Sequence, residues 1–351
     1  MGLRSETFHE NYAQDMAIFR TRGEWGILLF FFIVLFASPL FSSDRTLTIL
    51  TMIGISIISV LGLNILTGVC GQISMGHVGF MAVGGYTSAI LSAKLGWPFL
   101  AALPCAALAA GIAGLIFGLP SLKIKGFYLI MATIAAHFII IWTIIQLRVL
   151  TGGSDGMPVA KPEIAGFVFS SKISYFYLVM TITCLATVVA KNIVRTRAGR
   201  AFVAIRDNDL AAEVMGINLW SYKLQAFFIG CMYAGVAGVL LVHYYAFASI
   251  DQFAFMDSVW YLGMLIVGGM GSTVGAIFGA VSLKLLDELV TIVGPILATA
   301  VAPQAAASLA LISRGLIIIL FLIFEPRGLA HRWGIIKEYF KLWPFSHLES
   351  E

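Results

Sequence analysis

Residues 191–222 read KNIVRTRAGRAFVAIRDNDLAAEVMGINLWSY, the longest polar island in an otherwise apolar chain. Lys191, Arg195, Arg197, Arg200 and Arg206 come first, and Asp207, Asp209 and Glu213 follow. Placing one such charge at the centre of a bilayer costs about 2.5–3.5 kcal/mol, so the run lies outside the hydrocarbon. Its density of Lys and Arg assigns it to the cytoplasmic side. Asp207 or Asn208 is suited to cap a helix, because a short side-chain oxygen accepts from an orphan amide of the first turn. Residues 209–215 are good helix formers with acids near the positive end. Gly216 fits a left-handed stop. The pattern predicts a helix of roughly two turns with Leu210, Val214 and Met215 close to one face. A helix this short is not stable alone in water, so it is read as a docking element rather than a solvated connector.

The rest of the chain sets that island in a membrane. Of 351 residues, 60% are hydrophobic and only 11% are charged, against about 25% charged in soluble domains. The expected fold is an all-α, polytopic membrane bundle. Apolar runs predict about ten transmembrane helices, at 26–41, 46–66, 73–93, 97–119, 126–147, 173–190, 223–246, 257–270, 273–289 and 305–324. Only Gly271-Ser272 separates the eighth from the ninth, which form a hairpin or one broken helix. The organisation expected is a cytoplasmic segment 1–25, a transmembrane domain 26–324 containing the loop 191–222, and a cytoplasmic interfacial tail 325–351. That tail mixes aromatics with bases, as an amphipathic surface helix does. With the N-terminus inside, fifteen of the 22 Lys and Arg lie on the inner side, six on the outer, and Arg314 in the last span. The bias places both termini in the cytoplasm. Residues 1–24 are mixed in charge and make a poor signal-peptide leader, so the first apolar run is kept as a span.

Several functions are excluded. The net charge of +4 is spread along the loops and forms no nucleic-acid patch. Cys70, Cys105, Cys184 and Cys231 sit in apolar runs without ligand-like spacing and read as packing residues. No Gly-Lys dipeptide occurs, so no P-loop is present and the chain does not hydrolyse ATP through one. Neither HExxH nor GxSxG appears, and the acids are too scattered for a catalytic pair. An enzyme is not expected, nor a metal or cofactor.

The second and third spans meet in an unusual stretch that holds Asn64, Gln72, Ser74, His77 and Tyr86 among Gly68, Gly71, Gly76, Gly84 and Gly85. Polar groups at membrane depth face the bundle interior or a wet cavity. Glycine-broken segments point to a transport pathway, and interhelical hydrogen bonding is the competing reading. His137 sits in mid-span without a charged neighbour in sequence, either as a hydrogen-bonded neutral core residue or as a substrate or gate contact. The turn-rich run TGGSDGMP at 151–158 either meets an extracytoplasmic partner or covers the pore mouth. Small residues at four-residue steps, Gly230, Ala234, Gly238 and Gly271, Gly275, Gly279, favour close helix contact. Residues 291–304, broken by Gly294, Pro295 and Pro303, are expected at the outer interface.

These residues resemble the LivM-type permease subunit of branched-chain amino acid ABC importers. The resemblance is carried, in order, by LGLN at 61–64 with GQISMGH at 71–77, TGGSDG at 151–156, GRA with AIRDNDLAA and GI across 199–217, and EPRGL at 325–329. It implies that Asn64, Gln72, Ser74 and His77 lie near the translocation path. It also implies that Gly199, Arg200, Arg206, Asp207, Asn208, Ala211, Ala212, Glu213 and Gly216 form a contact with an ATPase. The partners it implies are a LivH-type permease, two cytoplasmic ATPases, an extracytoplasmic binding protein and the lipid of a bacterial inner membrane. Many relatives carry a carboxylate where this chain has His137-Phe138. Urea, amide or aromatic-acid cargoes therefore stand beside hydrophobic amino acids. An ion-coupled secondary transporter is the rival class; it needs intramembrane acids, and Asp257 and Asp287 lie only at span edges.

Overall fold

The computed structural model describes residues 33–119, 126–164, 166–301 and 328–342, with isolated positions within 26–29 and 312–325. The predicted spans 26–41 and 305–324, the segment 1–25 and the end of the tail lie wholly or largely outside the described residues. The elements are α1 Asp44–Leu63, α2 His77–Ala93, α3 Phe99–Gly118, α4 Phe127–Gln146, α5 Lys172–Arg195, α6 Arg197–Asp207, α7 Asp209–Val214, α8 Leu219–Tyr245, α9 Phe255–Gly268, α10 Thr273–Val301 and α11 Leu329–Leu342. A wider π turn, Asn64–Val69, extends α1.

Six helical stretches are long and apolar enough to cross a bilayer, so the chain is a multi-pass membrane protein with at least six spans. Of the ten expected, two fall largely outside the described residues, and two others miss the length or charge of a clear span for physical reasons. The third predicted run begins at His77 rather than Ile73, which leaves α2 only 17 residues long. The ninth is long enough but carries Lys284, Asp287 and Glu288. The expected break after Leu289 is absent, and α10 continues through Gly294 and Pro295 to Val301.

The core is organised on α8, which packs against α1, α2 and α3. Lipid tails are as apolar as leucine, so helices in a membrane gain from close van der Waals packing and small residues. On α8, Gly235 lies so near α3 that a Cβ there would stand 2.6 Å from the Ala110 Cβ. A Cβ on Gly62 of α1 would stand 2.7 Å from the Gly230 carbonyl. Gly238 meets the Met81 carbonyl of α2 with no room for a side chain. Helices α9 and α10 form an antiparallel hairpin, turned at Gly269 with φ 109° and Gly271 with φ 82°. Gly271 therefore serves the turn, and only Gly275 and Gly279 meet the α9 backbone.

At the far end of the bundle from the charged loop, residues 148–172 are folded rather than loose. Strand β1 Met157–Pro158 pairs antiparallel with β4 Phe247–Ala248, and β2 Glu163–Ile164 pairs with β3 Phe167–Val168. The Thr151 hydroxyl donates to the Ile144 carbonyl at 2.7 Å and accepts from the Gly153 amide at 3.1 Å. These short strands are the only departure from the all-α expectation among the described residues.

Leucine at Gly238 would drive a side chain into the α2 backbone. We predict that Gly238→Leu costs roughly 1–3 kcal/mol and lowers the thermal midpoint of the detergent-solubilised protein. Gly334→Ala, inside α11 where a Cβ would meet nothing within 4 Å, should leave that midpoint unchanged or raise it slightly.

Candidate functional site

The site begins where α1 and its π turn end and the chain runs on as coil. After the π turn, residues 70–76 run as coil beside the helices, with Gly71 at φ 76°. Buried backbone polar groups need hydrogen-bond partners. The Gln72 amide donates to the Leu66 carbonyl at 3.1 Å, and the Thr67 hydroxyl donates to the Gln72 carbonyl at 3.0 Å. The Met75 amide donates to the Thr133 hydroxyl of α4, and the Val78 amide to the Ser258 hydroxyl of α9, each at 3.1 Å. The freed Gly68 carbonyl accepts from the Arg206 guanidinium at 3.1 Å.

Arg206 belongs to the polar island, which folds as two helices rather than one. Apolar residues at 201, 202 and 205 bury one face of α6. The Thr196 hydroxyl caps it, accepting from the Gly199 amide at 3.3 Å. Asn208, rather than Asp207, caps α7 by accepting from the Ala211 amide at 3.1 Å. At the other end the Ile217 amide donates to the Ala212 carbonyl and the Gly216 amide to the Glu213 carbonyl. With Gly216 at φ 85°, these two bonds make a Schellman stop. Ala212 faces inward and is buried, while Leu210, Val214 and Met215 point out at 66%, 87% and 82% exposure.

The coil and the island enclose a cavity of about 380 Å³. Cys70, Gly71 and Gln72 form one wall, and Arg206 to Asp209 the other. Lys223, the fifth residue of α8, also lines it and is buried, with Nζ 3.6 Å from Asp209 Oδ2. Sequence reading counted Lys223 only as a loop charge. No local signal in the sequence marks its burial, which depends on Asp209 of α7.

The six candidate pathway residues are all buried. The cavity reaches only Gln72 among them. Asn64 Oδ1 accepts from the Gly271 amide at 2.8 Å, which ties α1 to the α9–α10 turn. His77 Nε2 lies 3.0 Å from the Ser59 carbonyl. Tyr86 packs its ring against Phe253 at 6.2 Å, and His137 packs against Phe255 at 5.8 Å. The Ser74 hydroxyl, Tyr86 hydroxyl, His77 Nδ1 and His137 Nδ1 are buried without a hydrogen-bond partner among the described residues. Of the nine loop candidates, Arg206, Asp207 and Asn208 line the cavity. Glu213 and Gly216 line a neighbouring groove of about 550 Å³ with Trp220. Gly199 sits against the Val194 carbonyl at the α5–α6 bend. Arg200 Nη1 donates to the Arg195 carbonyl at 3.1 Å.

A helical membrane bundle with a re-entrant break and a short exposed helix on its charged loop has the form of a permease component of an ABC-type transport system. The profile of the family described as "Branched-chain amino acid transport system / permease component" matches residues 45–322, and the chain belongs to that family. It is 29% identical over 326 residues to the high-affinity branched-chain amino acid transport system permease protein LivM of Salmonella typhimurium, covering 86% of this chain and 74% of that protein. The LivM protein of Escherichia coli is 30% identical over 317 residues, covering 84% and 72%. The autoinducer 2 import system permease protein LsrC of Salmonella typhimurium is 27% identical over 208 residues, covering 54% and 56%.

Removing the Asn64 acceptor strands the part-buried amide of Gly271. We predict that Asn64→Leu destabilises the protein by about 1–3 kcal/mol, seen as a lower thermal midpoint. Thr143→Val, which removes only a bond to its own helix on an exposed face, should behave as the native protein does.

Proposed function

We propose that the chain is a LivM-like translocating subunit that moves branched-chain or other hydrophobic amino acids across a bacterial inner membrane by ATP-coupled alternating access. The observation that carries this reading is α7. Six residues of helix, capped by Asn208 and stopped at Gly216, hold three large apolar side chains in the open. A helix that short gains nothing from presenting them to water. A partner surface that covers them accounts for the arrangement, and the partner proposed is a cytoplasmic ABC ATPase. The charged loop and both termini are then cytoplasmic, two such ATPases serve a pair of permeases completed by a LivH-type subunit, and a binding protein delivers cargo from outside.

In this mechanism a push on α7 passes through the Asn208 cap to α6. From there it passes through the Arg206–Gly68 bond to the π turn, and so to the coil that carries Gln72 and Ser74 and leads into His77 of α2. Packed elements move as bodies between discrete arrangements, so a small displacement of α7 becomes a change at the break. Asn64, Tyr86 and His137 are assigned to the walls of the same path. A wider cargo range has one observation in its favour, the similarity to an autoinducer 2 import permease.

Val214→Asp and Met215→Asp alter only exposed side chains. We predict that each leaves membrane insertion intact, reduces ATP-driven uptake at least tenfold, and weakens co-purification of the ATPase subunits. Uptake and co-purification at native levels would remove α7 from the coupling role. In the same uptake assay leucine, isoleucine and valine should compete, whereas urea and acetamide should not.

A further inference from the structure

The bend between α5 and α6 gathers positive charge that the described part of the chain does not neutralise. Lys191 and Arg195 stand four residues apart on α5 and share one stripe of it. Like charges at that spacing repel. Arg197 opens α6 and is exposed. The bend is tight, because a Cβ on Gly199 would stand 2.2 Å from the Val194 carbonyl oxygen. It folds Arg200 back, and Arg200 Nη1 donates to the Arg195 carbonyl at 3.1 Å. Among the described residues none of these four cations is in an ion pair. The acids of the same loop are placed elsewhere. Asp207 is on Arg206 at 3.0 Å, Asp209 is 3.6 Å from Lys223, and Glu213 lines the groove with Trp220. A counter-charge from outside these residues relieves the repulsion at the bend.

The surroundings of the bend select what brings that charge. Helix α5 is 24 residues long, about 36 Å at 1.5 Å per residue, against about 30 Å of hydrocarbon. With the apolar run 173–190 in that layer, Lys191 and Arg195 stand at headgroup level. Leu185 and Val188 are 67% and 58% exposed. Val188, Lys191 and Arg195 follow one another at i, i+3 and i+7 on the same stripe. An apolar ridge thus ends directly in bases that no carboxylate meets. A phospholipid has the matching pattern, with its acyl chain along the ridge and its phosphate on the bases. An acidic protein surface or free phosphate matches the bases alone and leaves the ridge, at hydrocarbon depth, unused.

We propose that the end of α5 and the first turn of α6 bind an anionic phospholipid, and that the bound headgroup braces the bend from which α6 reaches Gly68 through Arg206. Juxtamembrane bases attract anionic lipid, each adding several-fold to the affinity. The site requires only that the chain is embedded in a membrane, so it stands apart from cargo and coupling.

The test is equilibrium binding of radiolabelled phosphatidylglycerol to the full-length chain in micelles of a neutral detergent, with and without its co-purifying subunits. Saturable binding is expected in both. Phosphatidylcholine and inorganic phosphate should each compete at least tenfold more weakly than unlabelled phosphatidylglycerol. The triple variant Lys191→Gln, Arg195→Gln, Arg197→Gln should lose at least tenfold in affinity. The triple variant Lys191→Arg, Arg195→Lys, Arg197→Lys keeps every charge and should bind as the native chain does. So should Lys94→Gln, Arg148→Gln, Lys161→Gln, which removes as many exposed bases at the opposite end of the bundle. Phosphatidylglycerol should also raise the thermal midpoint of the native chain and not that of the glutamine variant at the bend. Equal competition by phosphatidylcholine or inorganic phosphate overturns the site. So does native affinity in the glutamine variant at the bend, or an equal loss in the charge-keeping or the distant variant. Binding that vanishes when the co-purifying subunits are present assigns the bases to a protein partner and overturns the lipid. Binding without a rise in midpoint overturns the bracing role.

Discussion

A chain that leaves a helix while still packed among other helices must find a partner for every backbone group it buries. The interval between α1 and α2 meets this demand with side chains drawn from four other elements. Thr133 comes from α4, Ser258 from α9, Arg206 from α6 and Thr67 from the π turn itself. The break is therefore a junction rather than a gap. It ties α4, α6 and α9 to the stretch from the π turn to the first turn of α2, and no one of them shifts without breaking a bond to it.

Opposite in character is the packing of α8, where polar groups contribute little and small residues much. Glycines at 230, 235 and 238 let three neighbours approach backbone to backbone. Helices in contact at that distance have no long side chains to reorient between them, so they displace as bodies rather than deform. One end of α8 carries Lys223 in the cavity. Near the other end, His243 is held between the Ser88 hydroxyl at 2.8 Å and the Ala160 carbonyl at 2.9 Å. A single stiff element thus spans from the charged loop to the strand pair beyond.

What was legible in the sequence was chiefly what local chemistry decides. The start and stop of α7 follow from an Asn and a Gly whose side chains, or lack of one, dictate the backbone nearby. The length and apolarity of the spans were legible in the same way, save where charges near Asp287 blurred a helix that runs on to Val301. Helix α6 was missed because its five neighbouring bases drew attention from the apolar positions 198, 201, 202 and 205, which have helical spacing. The start of α2 was misplaced by four residues because Ile73 and Met75 are as apolar in coil as in helix. The burial of Lys223 was beyond local reasoning, since it depends on Asp209 arriving from another helix. The folding of residues 148–172 was equally hidden, because β1 finds its partner some ninety residues later.

The bare ridge of α7 has a consequence for the life of the protein before it meets any companion. Valine and methionine at the tip of a loop are sticky in water, and the six-residue helix beneath them is too short to be rigid. A molecule synthesised without a mate would expose this segment to proteases and to its own copies. On the proposed reading, its abundance in a cell is tied to the supply of the partner that covers that ridge, and matched production of the two follows from six residues of helix.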